Sequence, residues 1–245
     1  YGVSKELEEQ VVRQSNQSIK IIINEKNQEN VELNFDFNEK KLFDIIDNSA
    51  GLGIDLFVLD DGWFLGRNND HTSLGDWIID RQKSPNGLDA IINRCKANNL
   101  KFGIWFEPEM ISPKSNLYKA HSDWAISAPN RPNTLSRNQL VLDLTKPQVQ
   151  EYIISTVSSF LKEYDISYVK WDMNRHITEC YSDHLPPNRQ KEFHHRYILG
   201  LYKVLETITS EFPDVLFEGC SGGGGRFDPA MLYYSPQIWT SDDSD

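Results

Sequence analysis

The stretch ISYVKWDMNR, residues 166–175, has the pattern of a buried β-strand that ends in polar residues. Side chains alternate between the two faces of a strand, so Lys170 and Asp172 share one face while their apolar neighbours occupy the other. An edge strand in water could carry the same two residues as a solvated ion pair. Because Asn174 and Arg175 continue the polar cluster past the strand end, we instead predict a buried parallel strand that opens into a site.

The composition is that of a single globular domain. The chain has 245 residues, 39% hydrophobic and 25% charged, which is enough to form a sizeable core. Its formal net charge of -11 argues against a nucleic-acid partner, because binding phosphates requires a cationic surface. A neutral small molecule is the better expectation.

Cysteine content and terminal sequence bear on the compartment. Cys95, Cys180 and Cys220 are odd in number and widely spaced, so neither a disulfide framework nor a zinc knuckle is predicted. The sequence contains no run of 18 apolar residues, so no membrane span is predicted. Its first residues lack the basic head and apolar middle of a signal peptide. The expected location is the cytoplasm. Since the sequence starts without Met and stops at TSDDSD, we also expect it to be a piece of a longer chain.

Seven apolar runs are predicted to be β-strands. Between most of them, apolar residues recur at spacings of three and four, as they do in helices. Alternating strands and helices predict an α/β fold in which helices cover a parallel sheet, in one domain spanning residues 1–245. The predicted strands are 19–24, 55–60, 101–107, 139–144, 166–172, 214–219 and 237–243, and the clearest helical stretches are 85–100 and 146–165.

Acidic and amide residues at the strand ends distinguish two α/β architectures. An open doubly wound sheet concentrates such residues at one switch point, whereas a (β/α)8 TIM barrel collects them from many strands at one mouth. We therefore predict a TIM barrel that is truncated before its eighth strand. The strand-end residues are Asp60, Asp61, Glu107, Glu109, Asp143, Asp172, Asn174, Glu218, Asp242 and Asp243.

Carboxylates at one mouth can hold a divalent cation or flank a glycosidic bond. Four tryptophans at or beside strand ends, Trp63, Trp105, Trp171 and Trp239, favour a sugar, whose apolar face stacks well on indole. Ordinary barrel packing is the alternative for these rings, most clearly for Trp171.

Metal and cofactor signatures are absent from the sequence. None of the six histidines lies in a predicted strand, and His194 and His195 fall on a predicted helix, although a magnesium site of carboxylates alone stays open. The glycine-rich stretch at 220–227 lacks the ending of a phosphate-binding loop. No cofactor is therefore predicted.

Five motifs in order carry a family resemblance: LDDGWF (59–64), GIWFEPEM (103–110), YVKWDMNR (168–175), CSGGGGRFD (220–228) and QIWTSDDSD (237–245). With them, the chain from about Phe35 onward resembles the catalytic barrel of the retaining α-galactosidases of glycoside hydrolase family 36. It is similar to the bacterial branch that hydrolyses raffinose and melibiose.

The resemblance implies that Asp172, on the fifth predicted strand, is the nucleophile and Asp242, on the seventh, the acid/base of a double displacement. Lys170 would favour the ionised form of Asp172, while burial or nearby acids would keep Asp242 protonated for the leaving group. The resemblance further implies a homotetrameric parent enzyme. The sugar contacts that it implies are Asp60, Asp61, Trp105, Arg137, Lys170, Asn174, Cys220 and Gly222.

The sequence departs from the family pattern at its start. Residues 30–34 stand where the family has Trp-Glu-Ala-Thr-Tyr, and residues 1–34 as a whole are diverged. The family's amino-terminal β-sandwich and carboxyl-terminal β domain are also expected to be missing, so we expect this chain alone to be weakly active or inactive. The alternatives are an impaired glycan-binding fragment, an α-N-acetylgalactosaminidase or transglycosidase of the same superfamily, and a magnesium-dependent barrel enzyme.

Overall fold

The computed structural model describes residues 20–22 and 35–241. In these residues six parallel strands form the main sheet and pair in the order in which they occur along the chain. Two short strands, β4 and β5, form a separate antiparallel pair, and the main sheet has the order β1-β2-β3-β6-β7-β8. The strands are β1 (Lys20–Ile22), β2 (Leu56–Leu59), β3 (Lys101–Phe106), β4 (Met110–Ile111), β5 (Leu140–Val141), β6 (Tyr168–Trp171), β7 (Leu216–Gly219) and β8 (Gln237–Ile238).

This strand order separates the two α/β architectures. A doubly wound sheet reverses its order at a switch point, whereas here each strand of the main sheet pairs with the next one, as in a TIM barrel. The described residues therefore form part of a TIM barrel, and closure into a complete barrel stays a prediction.

The prediction that 139–144 forms a strand of the parallel sheet is wrong. β5 pairs antiparallel with β4, and β3 pairs directly with β6, with Gly103 opposite Tyr168. The run is apolar because its side chains are buried, and burial alone does not specify a pairing partner. As a result, Asp172 follows the fourth strand of the parallel sheet rather than the fifth, and β8 is the sixth rather than the seventh.

Three of the described helices begin at a residue whose side chain caps the backbone, and a fourth begins with Pro147. The side chain of Asn38 accepts a hydrogen bond from the backbone of Lys41, and Asp228 caps the last helix in the same way. Both clear helical predictions are confirmed, and His194 and His195 lie in a helix as expected. The helices are α1 (Glu39–Ser49), α2 (Gly87–Ala97), α3 (Asn116–Ala120), α4 (Pro147–Glu163), α5 (Phe193–Glu211) and α6 (Pro229–Tyr234), with 3₁₀ turns at Ser122–Trp124 and Pro187–Glu192. In the described ranges, none of them is both long and apolar enough to span a bilayer.

Aromatic rings fill the space between β2, β3 and the covering helices. Trp63 is 2% exposed, stacks on Trp77 at 6.0 Å and donates its indole N–H to the Trp105 carbonyl at 2.9 Å. The expectation that Trp63 stacks on a sugar is therefore wrong, because the core covers its ring. Trp171 is also fully buried, which confirms the packing interpretation.

Candidate active site

Asp172 is the first residue after β6 and is almost completely buried. Its Oδ2 accepts hydrogen bonds from Trp105 Nε1 at 3.1 Å and from Asn174 Nδ2 at 2.7 Å, and its Oδ1 accepts one from the backbone of Met173 at 2.8 Å. Three donors aimed at one carboxyl group fix its orientation. The structure thus holds Asp172 as an oriented carboxylate.

Lys170 and Asp60 form a buried ion pair beside Asp172. Lys170 Nζ donates to Asp60 Oδ2 at 2.8 Å, and the two side chains are 3% and 6% exposed. Burial disfavours the charge of Lys170, but the carboxylates of Asp60 and Asp172 outweigh it and raise the pKa of Lys170 above its ordinary value. Burial raises the pKa of Asp60, and Lys170 offsets part of that shift. Trp239 places its ring 5.0 Å from Lys170 Nζ.

Asp61, next to Asp60, points toward a different partner. Arg67 donates to both of its carboxylate oxygens, with Nη2 at 2.7 Å from Oδ2. Lys83 holds the loop that contains Asp61 and Arg67 in place by donating hydrogen bonds to the carbonyls of Gly62 and Arg67. The sequence did not predict the contact of Arg67 with Asp61, because no local pattern in this polar loop indicates that the arginine folds back onto the aspartate.

Arg137 lies at the tip of a two-residue turn in an uncommon backbone conformation. Arg137 and Asn138 have φ of 48° and 60°, and Ser136 and Gln139 close the turn by backbone hydrogen bonds. Non-glycine residues adopt the left-handed region at an energetic cost, and such residues cluster at functional sites. Arg137 Nη1 donates to Asn174 Oδ1 at 2.8 Å, which connects the turn to Asp172 through one side chain.

Two glutamates on the loop after β3 occupy different environments. Glu109 is fully buried and accepts hydrogen bonds from Trp171 Nε1 at 3.0 Å and Tyr197 Oη at 2.9 Å, and it pairs with Arg226 at 2.8 Å. It is therefore a structural anchor. Glu107 accepts hydrogen bonds on Oε1 from the backbone of Asn174 and from Gln139 Nε2. Burial and the charge of Asp172 raise the pKa of Glu107 to about 8.

The glycine-rich loop after β7 brings Cys220 and Gly222 to the same region. Cys220 is buried, and burial together with the charge of Asp172 raises the pKa of its thiol, so the thiol form persists. Gly222 has φ of 53°. Ser221 Oγ donates to the Met173 carbonyl at 3.1 Å, which joins the loop to the segment that carries Asp172.

Asp242 lies outside the described residues, so its predicted role stays a prediction. The chain that leads to it leaves the sheet at β8, which is separated from β6 by β7 alone. The backbone of Trp239 donates to the Gly219 carbonyl at 2.9 Å and directs the chain toward the glycine loop.

A cleft of about 550 Å³ lies away from this network. None of the residues that contact Asp172 lines it. Its walls are formed by Asp123, Ala125, residues 127–132, Asp143 and residues 181–183. Across 20–22 and 35–241, no three His, Cys, Asp or Glu side chains are grouped closely enough to hold a metal ion.

A partial TIM barrel with buried carboxyl groups at the carboxyl ends of its strands has the features of a barrel catalytic domain. The family model described as Melibiase matches residues 5–245. The chain therefore belongs to the Melibiase family.

Individual relatives match at high identity over part of their length. Alpha-galactosidase AgaA of Geobacillus stearothermophilus is 59% identical over 211 residues, covering 86% of this chain and 29% of AgaA. Alpha-galactosidase 1 of Pediococcus pentosaceus is 54% identical with the same coverage of both chains. The chain thus spans less than a third of the length of these relatives.

Solved structures agree with the family assignment. Crystal structures of two variants of the GH36 α-galactosidase AgaA match with a TM-score of 0.84 and 58% identity, covering 86% of this chain and 29% of theirs. Besides a shared alanine-to-glutamate change, one has an aspartate replaced by alanine and contains stachyose. The other has a different aspartate replaced by asparagine and contains raffinose.

Proposed function

We propose that this chain carries the catalytic centre of a retaining α-galactosidase that removes terminal α-linked galactose from oligosaccharides of the melibiose and raffinose type. The observation that carries the proposal is the buried carboxylate of Asp172, held by Trp105 and Asn174 beside the Lys170–Asp60 ion pair. The names of the relatives, and their complexes with raffinose and stachyose, support the substrate class. Completion of the barrel beyond β8 is part of the same proposal.

The positions of the two acids add support. The two aspartates that are replaced in the AgaA variants are separated in that chain by the same number of residues as Asp172 and Asp242 are here. Substrates remain intact in a crystal when a group required for turnover is removed. The shared spacing therefore favours Asp172 and Asp242 as the reacting pair.

In the proposed mechanism Asp172 attacks the anomeric carbon while Asp242 transfers its proton to the departing glycosidic oxygen. The bond from the anomeric carbon to that oxygen breaks, and a galactosyl ester of Asp172 forms. Asp242, now a carboxylate, then removes a proton from water, which attacks the same carbon and releases Asp172. Two inversions give net retention.

The remaining residues would bind the sugar. Asp60 and Asp61 are acceptors for galactose hydroxyl groups, and their cationic partners Lys170 and Arg67 hold them in place. Arg137 lies where it can donate to a hydroxyl. These contacts, like those assigned to Cys220, Gly222 and Trp105, are proposals from the family resemblance and from proximity to Asp172.

Hydrolysis of a nitrophenyl α-galactoside tests the function. In the intact parent enzyme that contains this chain we expect release of nitrophenol, and proton NMR of the first product should show α-galactose before mutarotation. A β-anomer at early times would contradict retention. Binding of galactose without turnover would instead favour the glycan-binding alternative, and loss of activity with a chelator the magnesium-dependent one.

The Arg137→Gly variant should gain stability and lose activity. Glycine adopts a φ near +50° without the steric cost that arginine bears, so we expect the free energy of unfolding to rise by up to about 1 kcal/mol. Loss of the bond to Asn174 and of a sugar contact should lower kcat/KM by about 10-fold to 100-fold. Chemical denaturation and steady-state kinetics measure the two effects.

Asn138→Gly is the matched control, because it relieves the adjacent left-handed residue and keeps Arg137. Its amide contacts only Asp70, at 3.2 Å, among the described side chains. It should raise stability with little change in kcat/KM. If both variants lost activity equally, the conformation of the turn rather than the Arg137 side chain would be responsible.

A further inference from the structure

Glu107 joins three segments that meet at the candidate site. It follows β3, and its side chain is 1% exposed. Its Oε1 accepts a hydrogen bond from the backbone N–H of Asn174, which belongs to the segment after β6. The same oxygen accepts one from Gln139 Nε2 at 2.9 Å, at the base of the turn that carries Arg137.

These contacts make Asn174 a connector between Glu107 and Asp172. The backbone of Asn174 is held by Glu107, while its side-chain amide donates to Asp172 Oδ2 at 2.7 Å. Its side-chain oxygen accepts from Arg137. Displacing the backbone of Asn174 would therefore move a donor to Asp172 and the partner of Arg137 together.

The hydrogen bonds of Glu107 leave one oxygen able to carry a proton. The bonds from the backbone of Asn174 and from Gln139 Nε2 both end on Oε1. A neutral carboxylic acid uses its carbonyl oxygen as acceptor and carries the proton on the other oxygen. In a neutral Glu107, Oε2 is therefore the protonated oxygen.

The surrounding charges agree with this assignment. The carboxylate of Asp172, after β6, lies close enough to disfavour a negative charge on Glu107. Arg67, on the loop after β2, favours a negative charge on Glu107, but more weakly. Arg137 is hydrogen bonded to Asn174, and Arg175 to the carbonyls of Thr134 and Gln139. No arginine, lysine or histidine in the described part of the chain forms an ion pair with Glu107.

We propose that Glu107 is a positioning residue that acts as a neutral acid and holds Asn174 against Asp172. The catalytic consequence rests on the proposed α-galactosidase function, whereas the hydrogen bonding and protonation do not. Ionisation of Glu107 places a second negative charge beside Asp172 and disturbs the arrangement of both, so the site works only while Glu107 keeps its proton.

A comparison of Glu107→Gln with Glu107→Ala tests whether Glu107 acts as a neutral acid. Glutamine has the shape of the protonated acid and keeps an acceptor oxygen, whereas alanine removes the support of Asn174. At pH 6 we expect kcat of the glutamine variant to lie within about threefold of wild type. We expect kcat of the alanine variant to fall about 100-fold, because small displacements of reacting groups lower the rate by about this factor. KM should change little in either.

The pH dependence of kcat/KM distinguishes a neutral Glu107 from a residue with a purely structural role. With a dinitrophenyl α-galactoside the leaving group needs no proton, so the ionisation of Asp242 does not limit the first step. Wild-type kcat/KM should then fall above about pH 8, and this fall should be absent in Glu107→Gln. If Glu107→Gln lost as much activity as Glu107→Ala at pH 6, or kept the alkaline fall, the neutral acid would be refuted.

A third measurement is independent of activity. A buried carboxyl group whose pKa is raised in the folded state destabilises it progressively as pH rises from the unfolded pKa near 4.3 to about 8. The unfolding midpoint of Glu107→Gln relative to wild type should therefore increase over this interval and stay constant above it. A constant difference throughout would overturn the proposal.

Crystal structures of the two variants test the positioning directly. In Glu107→Ala we expect Asn174 Nδ2 to leave Asp172 Oδ2, and in Glu107→Gln we expect the bond of 2.7 Å to persist. An unmoved Asn174 in the alanine variant would overturn the role. If wild type hydrolysed no galactoside, the proposed function would fail, while these structures and the stability data would still decide the role of Glu107.

Discussion

The Asp172→Asn variant is expected to hydrolyse α-galactosides at least about 10⁴-fold more slowly than wild type, as is found when a nucleophile is removed. The asparagine side chain has the same shape, and its one carbonyl oxygen can still accept the hydrogen bond from the backbone of Met173. It cannot form the galactosyl ester. The loss should therefore appear in kcat without a matching loss of folded protein.

Azide distinguishes the role of Asp172 from that of Asp242. In Asp172→Ala, azide occupies the vacated space and attacks the anomeric carbon from the face opposite the leaving group, which yields a β-galactosyl azide. In an Asp242 variant, azide attacks the galactosyl ester and yields the α-azide. NMR of the azide products assigns the two roles.

Asp143→Asn is the matched control for Asp172→Asn, because Asp143 is an equally buried strand-end acid. Its Oδ1 accepts hydrogen bonds from the backbone and hydroxyl of Thr145, and it has no contact with Asp172. Turnover should stay within about threefold of wild type, as expected for a substitution remote from the reacting atoms. Equal loss in both variants would refute Asp172 as the nucleophile.

The Lys170→Met variant should be the most destabilised of the substitutions considered. Methionine keeps the length and apolar character of the side chain but leaves Asp60 as a buried carboxylate without a cation. Removing one partner of a buried ion pair costs about 3 to 5 kcal/mol. We expect a decrease of this size in the free energy of unfolding at neutral pH, measured by chemical denaturation.

The direction in which the stability of Lys170→Met changes with pH follows from the unpaired carboxyl group of Asp60. Without Lys170, the folded-state pKa of Asp60 rises further, because burial already shifts it upward. Stability is then lost as pH rises above the unfolded pKa of Asp60 and is recovered in acid. The deficit of Lys170→Met relative to wild type should therefore shrink as pH is lowered toward about 4.

Two further variants show whether the effect comes from the charge. Asp60→Asn in the Lys170→Met background removes the buried carboxylate and should restore part of the stability, but not activity. Lys83→Met removes another buried lysine, which among the described residues donates hydrogen bonds to the backbone carbonyls of Gly62 and Arg67, and should cost less. If Lys83→Met were as destabilising as Lys170→Met, the ion pair with Asp60 would not explain the loss.

Local patterns predicted much of this molecule. The alternation along 166–172 correctly placed Lys170 and Asp172 on one polar face, and the spacing of apolar residues located α2 and α4. These features depend on residues that are close in sequence, so a single sequence contains them.

Long-range contacts could not be predicted in the same way. β5 pairs with β4, and Gln139 donates one hydrogen bond to Glu107, so both contacts join residues that are distant in sequence. No local sequence pattern specifies such contacts. Arg226 is a cation at the end of a glycine run, but its partner Glu109 follows a different strand. The partners of buried polar groups were therefore the least predictable part of the site.

The sequential strand order has a consequence for synthesis on the ribosome. Each strand of the main sheet pairs with the next one to be made in that sheet, so the sheet can grow from its amino-terminal edge as the chain emerges. Asp60, however, follows β2, while its cation Lys170 is 110 residues downstream. The nascent barrel must keep that carboxylate in contact with water until β6 arrives, so its interior can become dry only late in translation.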